Sequence, residues 1–438
     1  MLLAAEPACY QARTPGDARG PRAKIHYTCA PRITLPNRLP SRTTPFAITA
    51  CTATCAAGRG VSALAEALRS RTSGLRRNDF GAQPLDCWIG RVDGIEQSPL
   101  PPLFAAWDGR NNRLAWIALH QDDFIDRARA AIAKYGGARV ALVLGTSTSS
   151  IEETERAYRE LAPDKHLSAE QRRSEVHQTN SLCSFVQTAL GIEGPGLTIA
   201  TACSSSAKVF ASAARLLESG LVDAAIVGGA DSLCGSVLYG FNALELVSRD
   251  PCRPFDADRS GLSLGEAAGF ALLERIEANK SAPRLAGYGE SADAHHMSAP
   301  HPQGLGAELA LRDALARAGL TPDDVDYINL HGTASRQNDE VEAALVARTF
   351  SANTLASSTK GWTGHTLGAA GIVEAVIALL SMRNGFVPGT LNSRVLDPAC
   401  GPQITLDNRN RDVGVALSNS FGFGGNNCCL AFVAGDRP

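Results

Sequence analysis

The sequence contains the stretch Leu197-Thr198-Ile199-Ala200-Thr201-Ala202-Cys203-Ser204-Ser205-Ser206, in which an apolar, β-branched run gives way to serines. This pattern predicts a strand that turns directly into a small-residue helix, with Cys203 at the turn. A helix N-terminus carries unpaired N–H groups and a partial positive charge, which favour a thiolate and can hold a developing oxyanion. Cys203 is therefore the candidate nucleophile. The alternative is a small buried hydrophobic residue, the usual role of an intracellular cysteine.

Around this stretch, from Pro45 onward, short apolar runs alternate with helical patterns, which predicts an α/β layered architecture. Residues 139–144 have the composition of a buried strand, and the helix after Cys203 should end near Gly220. Residues 88–112, with three prolines and the Asn111-Asn112 pair, are predicted to form an irregular surface excursion.

The chain also shows a weak internal repeat. Residues 143–147 resemble residues 329–333, since each is a strand that runs into Gly-Thr, and the strand at 225–229 has a counterpart before Gly422. These matches predict two similar halves, at residues 46–290 and 291–438, with the candidate nucleophile in the first half.

Composition limits the possible functions. The 438 residues, 44% hydrophobic and 20% charged, can bury a large core. A formal charge of −2 gives no sign of nucleic-acid binding. No apolar stretch approaches the ~20 residues that cross a bilayer, so we expect a cytoplasmic protein without a membrane span. Residues 1–45, rich in Pro and Arg and without the apolar segment of a secretory signal, are predicted to be a disordered extension, with a transit peptide as the alternative.

The twelve cysteines are scattered, and several lie in apolar strands, so they do not resemble a disulfide framework. Cys51 and Cys55, and the adjacent Cys428 and Cys429, could suggest metal binding. No paired C-x-x-C ligand sets occur, and both sites are predicted strands, so we expect no metal.

Two histidines lie in patterns typical of an active site. His331 follows an apolar strand, and the Gly332-Thr333 turn leaves it at a strand's carboxyl end, where α/β active sites collect. His365 lies in a glycine-dense stretch, residues 360–371, where backbone can pack closely around a ligand or simply around a helix. A structural, hydrogen-bonded role is the alternative for a lone histidine.

Glu374 lies in the middle of the apolar helix that follows His365. A buried carboxylate needs a partner, and Lys360 or a histidine would supply it, unless Glu374 faces solvent. Residues 418–427, Ser-Asn-Ser-Phe-Gly-Phe-Gly-Gly-Asn-Asn, form a glycine-rich loop after a strand. The loop lacks a phosphate-binding fingerprint, so a flexible wall with a hinged aromatic is favoured over a plain turn.

Together these motifs resemble the beta-ketoacyl carrier-protein synthases of types I and II, the decarboxylating condensing enzymes, over residues 46–433. The matching segments are residues 201–205 (Thr-Ala-Cys-Ser-Ser), 331–333 (His-Gly-Thr), Lys360 with 364–365 (Gly-His), and 419–425 (Asn-Ser-Phe-Gly-Phe-Gly-Gly), with support from 252–256, 265–269 and 293–300.

The resemblance implies the thiolase fold, a duplicated five-layer α-β-α-β-α sandwich, in a homodimer or in a heterodimer with a related ketosynthase subunit. It implies catalysis by Cys203, His331 and His365, with Lys360 orienting the histidines and Glu374 holding Lys360. Phe421 is expected to be the gate and an oxyanion-hole donor. Thr333, Ser335 and Gly422 are expected to contact the substrate.

The partner implied by the resemblance is an acyl carrier protein, whose phosphopantetheine arm brings the substrate, so no cofactor of the enzyme itself is expected. A negatively charged carrier needs a positive landing site, for which a basic cluster is one candidate and a solvated helix end the other reading. The cluster comprises Arg69, Arg71, Arg76 and Arg77.

The sequence departs from the family at Ala334-Ser335-Arg336, where Thr-Pro is usual after His-Gly-Thr-Ser, and at Glu245, where a carrier-contacting arginine is common. These departures make a polyketide or aryl-polyene pathway an alternative to fatty-acid synthesis. Two other functions are open: a non-catalytic, chain-length-factor-like partner subunit, and a thioester hydrolase or thiolase-like enzyme. The intact set of Cys203, His331, His365 and Lys360 argues against the first.

Overall fold

The apolar runs become strands and the periodic segments become helices in the computed structural model, which describes residues 42–435 except residues 83, 162–165 and 169. Residues 1–41 of the predicted extension, which spans residues 1–45, therefore lie outside the described residues. The strands are β1 (Phe46–Cys55), β2 (Gly58–Arg59), β3 (Arg76–Arg77), β4 (Trp88–Gly90), β5 (Val140–Gly145), β6 (Gly196–Ile199), β7 (Ala224–Asp231), β8 (Leu264–Gly265), β9 (Ala267–Arg275), β10 (Arg284–Ala292), β11 (Tyr327–Asn329), β12 (Leu355–Ser357), β13 (Phe386–Val387), β14 (Arg409–Asn410), β15 (Val415–Gly422) and β16 (Asn426–Val433).

The helices connect these strands and cover the sheet. They are α1 (Val61–Ser70), α2 (Arg110–Leu119), α3 (Phe124–Tyr135), α4 (Ile151–Arg159), α5 (Ser174–His177), α6 (Ser181–Leu190), α7 (Ser205–Glu218), α8 (Gly235–Ala243), α9 (Leu305–Ala318), α10 (Arg336–Thr349), α11 (Lys360–Thr363) and α12 (Ala370–Asn384). The predicted end of the helix after Cys203 is confirmed, because Gly220 follows α7 with a left-handed φ of 71°.

The prediction for residues 88–112 is wrong at both ends. Residues 88–90 form β4, and Asn111 and Asn112 are fully buried in α2. The Asn112 side chain donates hydrogen bonds to the Trp107 carbonyl and the Ser181 hydroxyl. These partners stabilise Asn112 inside the helix, although the sequence pattern of this pair favours a turn.

The strand order confirms the predicted repeat. The main sheet runs β12-β11-β15-β16-β10-β1-β9-β7-β5-β6, with β2 paired to β1 off this path. In the first half β5 is parallel to β6 and β7, while β7-β9-β1 is antiparallel. In the second half β11 is parallel to β12 and β15, while β15-β16-β10 is antiparallel. The two halves therefore share one strand order, and they join where β1 pairs with β10.

Side-chain alternation along the strands produces five layers. In β5, Ala141 and Val143 belong to a central core that includes residues of α7 and α12, whereas Leu142 and Leu144 belong to an outer core with α2, α3 and α6. In the second half, Ala416 of β15 faces the central core, and the next residue, Leu417, packs with α9 and α10. The expected α-β-α-β-α sandwich is thus confirmed.

The central helix α12 is apolar all round, as expected for a helix covered by a sheet on each side. Within the described residues, Leu367–Asn384 is the one helical stretch with the length and composition to cross a bilayer, and most of it is buried in the protein. The predicted domain boundary at residues 290/291 falls inside β10, whereas the first half's last strand, β9, ends at Arg275.

Candidate active site

Cys203 lies at the strand-to-helix turn, as predicted. After β6 the chain forms a short 3-10 turn, Ala202–Ser204, and continues as α7. Ala202 has a left-handed φ of 51°, a conformation that costs free energy and persists only when its surroundings hold it. Hydrogen bonds from the Thr201 N–H to the Ser205 hydroxyl and from the Ser204 hydroxyl to the Thr201 carbonyl, both 2.9 Å, close this turn. The thiol is 5% exposed.

His365 contacts the thiol directly. Its Nε2 lies 2.9 Å from the Cys203 Sγ. The backbone at His365 is fixed on both sides, since its N–H donates to the Ser263 carbonyl at 2.7 Å and its carbonyl accepts from the Gly265 N–H at 3.0 Å. The preceding Gly364 has a φ of 70°, which a residue with a side chain rarely adopts. The glycine-dense stretch therefore brings this imidazole to the Cys203 thiol.

His331 is the second imidazole at the site. Its ring centroid lies 5.4 Å from that of His365, with the two planes at 86°. Both rings are almost fully buried. The Glu342 carboxylate accepts hydrogen bonds from the His331 N–H at 2.9 Å and from the Gly332 N–H at 2.8 Å. Glu342 therefore holds the backbone that presents His331.

Sequence reasoning missed Glu342. Its carboxylate also accepts a bond from the Asn419 amide at 3.2 Å, so it links the His331 turn to the strand that leads into the glycine-rich loop. The available signal was the same one that identified Glu374: a carboxylate among apolar helix positions, here in α10, needs buried partners.

Lys360 and Glu374 form the expected buried pair. The Lys360 Nζ donates to the Glu374 carboxylate and, at 2.5 Å, to the His331 carbonyl. Lys360 is 2% exposed and Glu374 3% exposed. Lys360 thus bonds the main chain of His331 rather than either imidazole ring.

The surroundings of the site favour the neutral forms of Cys203 and of the two histidines. Burial, followed by the nearby Lys360 charge, lowers the pKa of His331 and of His365 well below the usual value. Burial raises the pKa of Cys203 to about 12, against the opposing effects of Lys360 and a backbone N–H. Desolvation therefore opposes the thiolate that the helix dipole alone predicts, and it favours a thiol beside a neutral imidazole.

The prediction for Phe421 is also corrected. The backbone N–H that bonds the Cys203 thiol belongs to Phe423. Phe421 is still within β15, paired with Asn427, and its ring packs 5.8 Å from that of His331. The Phe423 ring instead stacks on Phe241, with centroids 5.3 Å apart and planes at 13°. The strand ends one residue after Phe421, so the second phenylalanine of the Phe-Gly-Phe-Gly repeat reaches the nucleophile.

The glycines around Phe423 have separate roles. A Cβ on Gly422 would lie 2.7 Å from the Thr201 carbonyl, so only glycine lets the loop contact the Cys203 turn. Gly424 and Gly425 have φ values of 79° and 75°, which favour glycine and give the loop its sharp bend.

Cys203 and His331 open onto one cavity of about 290 Å³. Thr333 and Ser335, the expected substrate contacts, also line it, and their hydroxyls are 2.9 Å apart. Further lining residues are Glu245, Met297, Arg336, Phe421, Gly422 and Phe423. Both departures from the family motifs, Glu245 and Arg336, therefore lie along this cavity.

The basic cluster is elsewhere and largely neutralised. Three of its members pair with aspartates: Arg71 with Asp407, Arg76 with Asp93, and Arg77 with Asp86. Arg69 lies over the Phe386 ring. None of the four is among the residues that line the cavity. Among the described residues, no group of three His, Cys, Asp or Glu side chains is placed to hold a metal ion.

Comparison with known proteins agrees with this geometry. The model of the Beta-ketoacyl synthase N-terminal domain matches residues 113–279, and that of the Beta-ketoacyl synthase C-terminal domain matches residues 283–394. The chain is 36% identical to Nodulation protein E of Rhizobium meliloti (strain 1021) over 73% of this chain and 81% of that protein. It is 42% identical to 3-oxoacyl-[acyl-carrier-protein] synthase 2 of the same strain over 55% and 61%.

Solved structures show the same similarity. A chain from the complex of a Xenorhabdus doucetiae ketosynthase with its chain length factor superposes with a TM-score of 0.81 at 37% identity, covering 89% of this chain and 98% of that chain. A beta-ketoacyl synthase from Burkholderia phymatum STM815 gives 0.79 at 27% identity, covering 89% and 99%. The chain therefore belongs to the beta-ketoacyl synthase family, condensing enzymes of the acyltransferase type with the thiolase fold.

Proposed function

We propose that this protein condenses an acyl group held on Cys203 with a malonyl group carried by an acyl carrier protein, releasing carbon dioxide and giving a 3-oxoacyl carrier protein. The observation that carries the proposal is the convergence of one thiol and two imidazoles: Cys203 and His331 line one cavity, and His365 contacts both of them. The similarity to synthases named for this reaction supports it.

In the first step the Cys203 sulfur attacks the carbonyl carbon of the acyl thioester. Its proton passes to the His365 Nε2, 2.9 Å away, which is free to accept it because burial keeps the imidazole neutral. The N–H groups of Cys203 and Phe423 stabilise the oxyanion. The bond from carbon to the pantetheine sulfur then breaks, and the carrier leaves as a free thiol after taking up the proton.

In the second step the malonyl carbon–carboxylate bond breaks, and its electron pair moves into the thioester to form an enolate. By then His365 has exchanged protons with solvent, so that its Nε2 rather than its Nδ1 carries the hydrogen. The Nε2–H groups of His331 and His365 donate to the enolate oxygen, where the charge develops. The enolate carbon attacks the acyl carbonyl, the carbon–sulfur bond to Cys203 breaks, and the leaving thiolate takes up one proton from solvent, which restores the thiol. Neutral imidazoles suit this role, and the buried Lys360 charge lowers the pKa of each, which keeps them neutral.

The remaining predicted residues support these steps. Lys360 positions His331 through the His331 carbonyl, and Glu374 balances the buried ammonium. The hydroxyls of Thr333 and Ser335 line the cavity and hold the pantetheine arm. Phe423, rather than Phe421, swings to admit the second substrate, which requires its stack on Phe241 to open.

A partner subunit completes the protein in this proposal, either a second copy or a related ketosynthase subunit. On α8, which carries Phe241 close to the site, Leu238 is the buried member, while Tyr239 remains about half exposed. Strand β6 lies at the end of the sheet, with Leu197 39% exposed. Uncovered apolar surface and an open edge of this kind are typical of subunit interfaces. The proposed location is the cytoplasm, and the pathway is fatty-acid, polyketide or aryl-polyene synthesis.

The test is turnover with malonyl carrier protein and a panel of acyl carrier proteins, read by intact mass and by released carbon dioxide. The proposal predicts one carbon dioxide per 3-oxoacyl product. Free acid without malonyl consumption would indicate a hydrolase, and no turnover with any acyl carrier, alone or with a related subunit, would indicate a non-catalytic partner. A Cys183→Ala variant, which changes a buried cysteine of the outer core, is the matched control and should retain activity.

A further inference from the structure

Asp231, the last residue of β7, is fully buried and accepts an unusual number of hydrogen bonds. From the segment after β5 it accepts the Thr146 hydroxyl at 2.7 Å, the Ser147 N–H and hydroxyl, both at 2.8 Å, and the Thr148 N–H and hydroxyl at 3.1 and 3.0 Å. The Gly368 N–H donates at 2.6 Å from the other half of the chain. All of these donors are backbone amides or hydroxyls, and together they satisfy a carboxylate that no water reaches.

The two segments that Asp231 joins lie on either side of the nucleophile. The segment after β5 follows Gly145, which packs so closely on the N-terminus of α7 that a Cβ there would lie 2.4 Å from the Ser206 N. Gly368 comes three residues after His365, in a short 3-10 turn, Leu367–Ala369. Asp231 therefore connects the segment packed on the N-terminus of α7, which follows Cys203, to the turn that follows His365.

That turn needs an external restraint. Leu367 has a left-handed φ of 54°, which is strained for a residue with a side chain and persists only when neighbouring groups hold it. The bond from the next N–H, at Gly368, to Asp231 supplies such a restraint. The turn also packs tightly, because a Cβ on Gly368 would lie 2.6 Å from the Asp231 Oδ2 and 2.6 Å from the Ser147 N.

We propose that Asp231 is a positioning residue for catalysis, which holds the turn at 367–369 so that the His365 imidazole stays in contact with Cys203. This inference rests on the proposed function for the role of His365. It assigns a task to a carboxylate that touches neither substrate nor imidazole and acts only through the backbone of the turn.

The test is Asp231→Asn, measured with malonyl and acyl carrier proteins. Asparagine has nearly the same size as aspartate, but its NH₂ group can only donate hydrogen bonds. Because every neighbour of the Asp231 carboxylate is also a donor, some of these hydrogen bonds are lost in either orientation of the amide. Each rate is divided by the fraction of protein molecules that become acylated in the pre-steady-state burst. This normalisation removes losses that are due to unfolded protein. We expect normalised kcat for condensation to fall about 10²-fold, the typical cost of a misplacement near 1 Å. KM for malonyl carrier protein should be unchanged.

Asp256→Asn is the matched control. The Asp256 carboxylate is 2% exposed and accepts backbone N–H groups from Arg394 at 2.7 Å and Asp258 at 2.9 Å, but it is not among the residues that line the cavity. This variant should lower Tm and leave normalised kcat intact. If Asp231→Asn does not fold, Gly368→Ala, which pushes the turn away from an intact Asp231, should give the same loss of normalised kcat.

The outcomes separate the two proposals. Normalised kcat equal to wild type in Asp231→Asn, or in Gly368→Ala where Asp231→Asn does not fold, would overturn the positioning role while leaving the condensation mechanism in place. A wild-type protein that never consumes malonyl carrier protein would instead overturn the proposed function itself.

Discussion

The segments after β5 and β11 occupy equivalent positions in the two halves, yet they do different work. After β5, the hydroxyls of residues 146–148 and the N–H groups of residues 147 and 148 all donate to the Asp231 carboxylate. After β11, Glu342 accepts the main-chain N–H groups of His331 and Gly332 rather than the imidazole, which faces the cavity. The same strand order therefore supports a structural anchor in one half and the proposed catalytic His331 in the other, because the two carboxylates accept hydrogen bonds from different groups.

The segments after the neighbouring strands, β6 and β12, also differ between the two halves. After β6 the chain supplies Cys203 at the N-terminus of α7, and after β12 it supplies Lys360 and then His365 before α12. The first half thus contributes the proposed nucleophile, and the second half contributes Lys360 and both imidazoles. The residues that follow each strand supply the site side chains, and the sheet brings the side chains of the two halves together.

The largest expected effect comes from removing the first half's contribution. Cys203→Ala should abolish the acyl-enzyme and lower condensation by at least about 10³-fold, because it removes the thiol that lies 2.9 Å from the His365 Nε2. Decarboxylation of malonyl carrier protein, which uses the second half's imidazoles, should persist. Intact mass and carbon dioxide release measure the two activities separately. Full condensation by the variant would remove Cys203 from the mechanism.

The complementary change tests the second half. His331→Ala should slow decarboxylation by about 10²–10³-fold, the usual cost of one oxyanion donor, and should affect acylation of Cys203 far less. Pre-steady-state acylation and malonyl consumption are the measurements. Equal losses in both half-reactions would contradict the division of labour between the halves.

The protonation state of the Cys203–His365 pair, which joins the two halves, can be measured from the pH dependence of Cys203 alkylation. Because burial raises the pKa of Cys203 to about 12 and lowers the pKa of His365, the free enzyme should hold a thiol beside a neutral imidazole. The thiolate fraction, and with it the rate of Cys203 alkylation by iodoacetamide, should rise by about tenfold per pH unit between pH 7 and 9. A rate that has reached its plateau by pH 7 would show a thiolate–imidazolium pair instead. Glutathione alkylated in parallel corrects for the reagent.

A smaller effect is expected from the carboxylate that presents His331. Glu342→Gln keeps one acceptor oxygen for two backbone N–H groups, so a buried donor loses its partner at a cost of about 1–3 kcal/mol. Chemical denaturation should show this loss, together with a decarboxylation rate reduced less than in His331→Ala. Wild-type stability in Glu342→Gln would mean that these N–H groups do not depend on the carboxylate.

Local sequence patterns predicted much of this site. The turn at Cys203 follows from residues adjacent in the chain, and the two halves follow from the repeated strand into Gly-Thr. The positions of His331, His365 and Lys360 came from ordered motifs that resemble a family. These features could be predicted because each depends on neighbouring residues or on spacing.

The errors arose where distant contacts decide the outcome. Phe421 and Phe423 both precede glycine, and only the end of the β15–β16 pairing determines which N–H reaches the thiol. The partners of Glu342 lie ten or more residues away along the chain. The thiolate prediction used the local helix dipole and could not include the burial that opposes it.

The most direct test of the account is a single-turnover chase followed by peptide mapping. Protein loaded from acyl carrier protein should carry one acyl group, mapped to Cys203. Malonyl carrier protein should then remove this group at the same rate as 3-oxoacyl carrier protein and carbon dioxide appear. An acyl group on another residue, or an adduct on Cys203 that malonyl carrier protein leaves in place, would contradict the claim that one thiol and two imidazoles act on the same thioester.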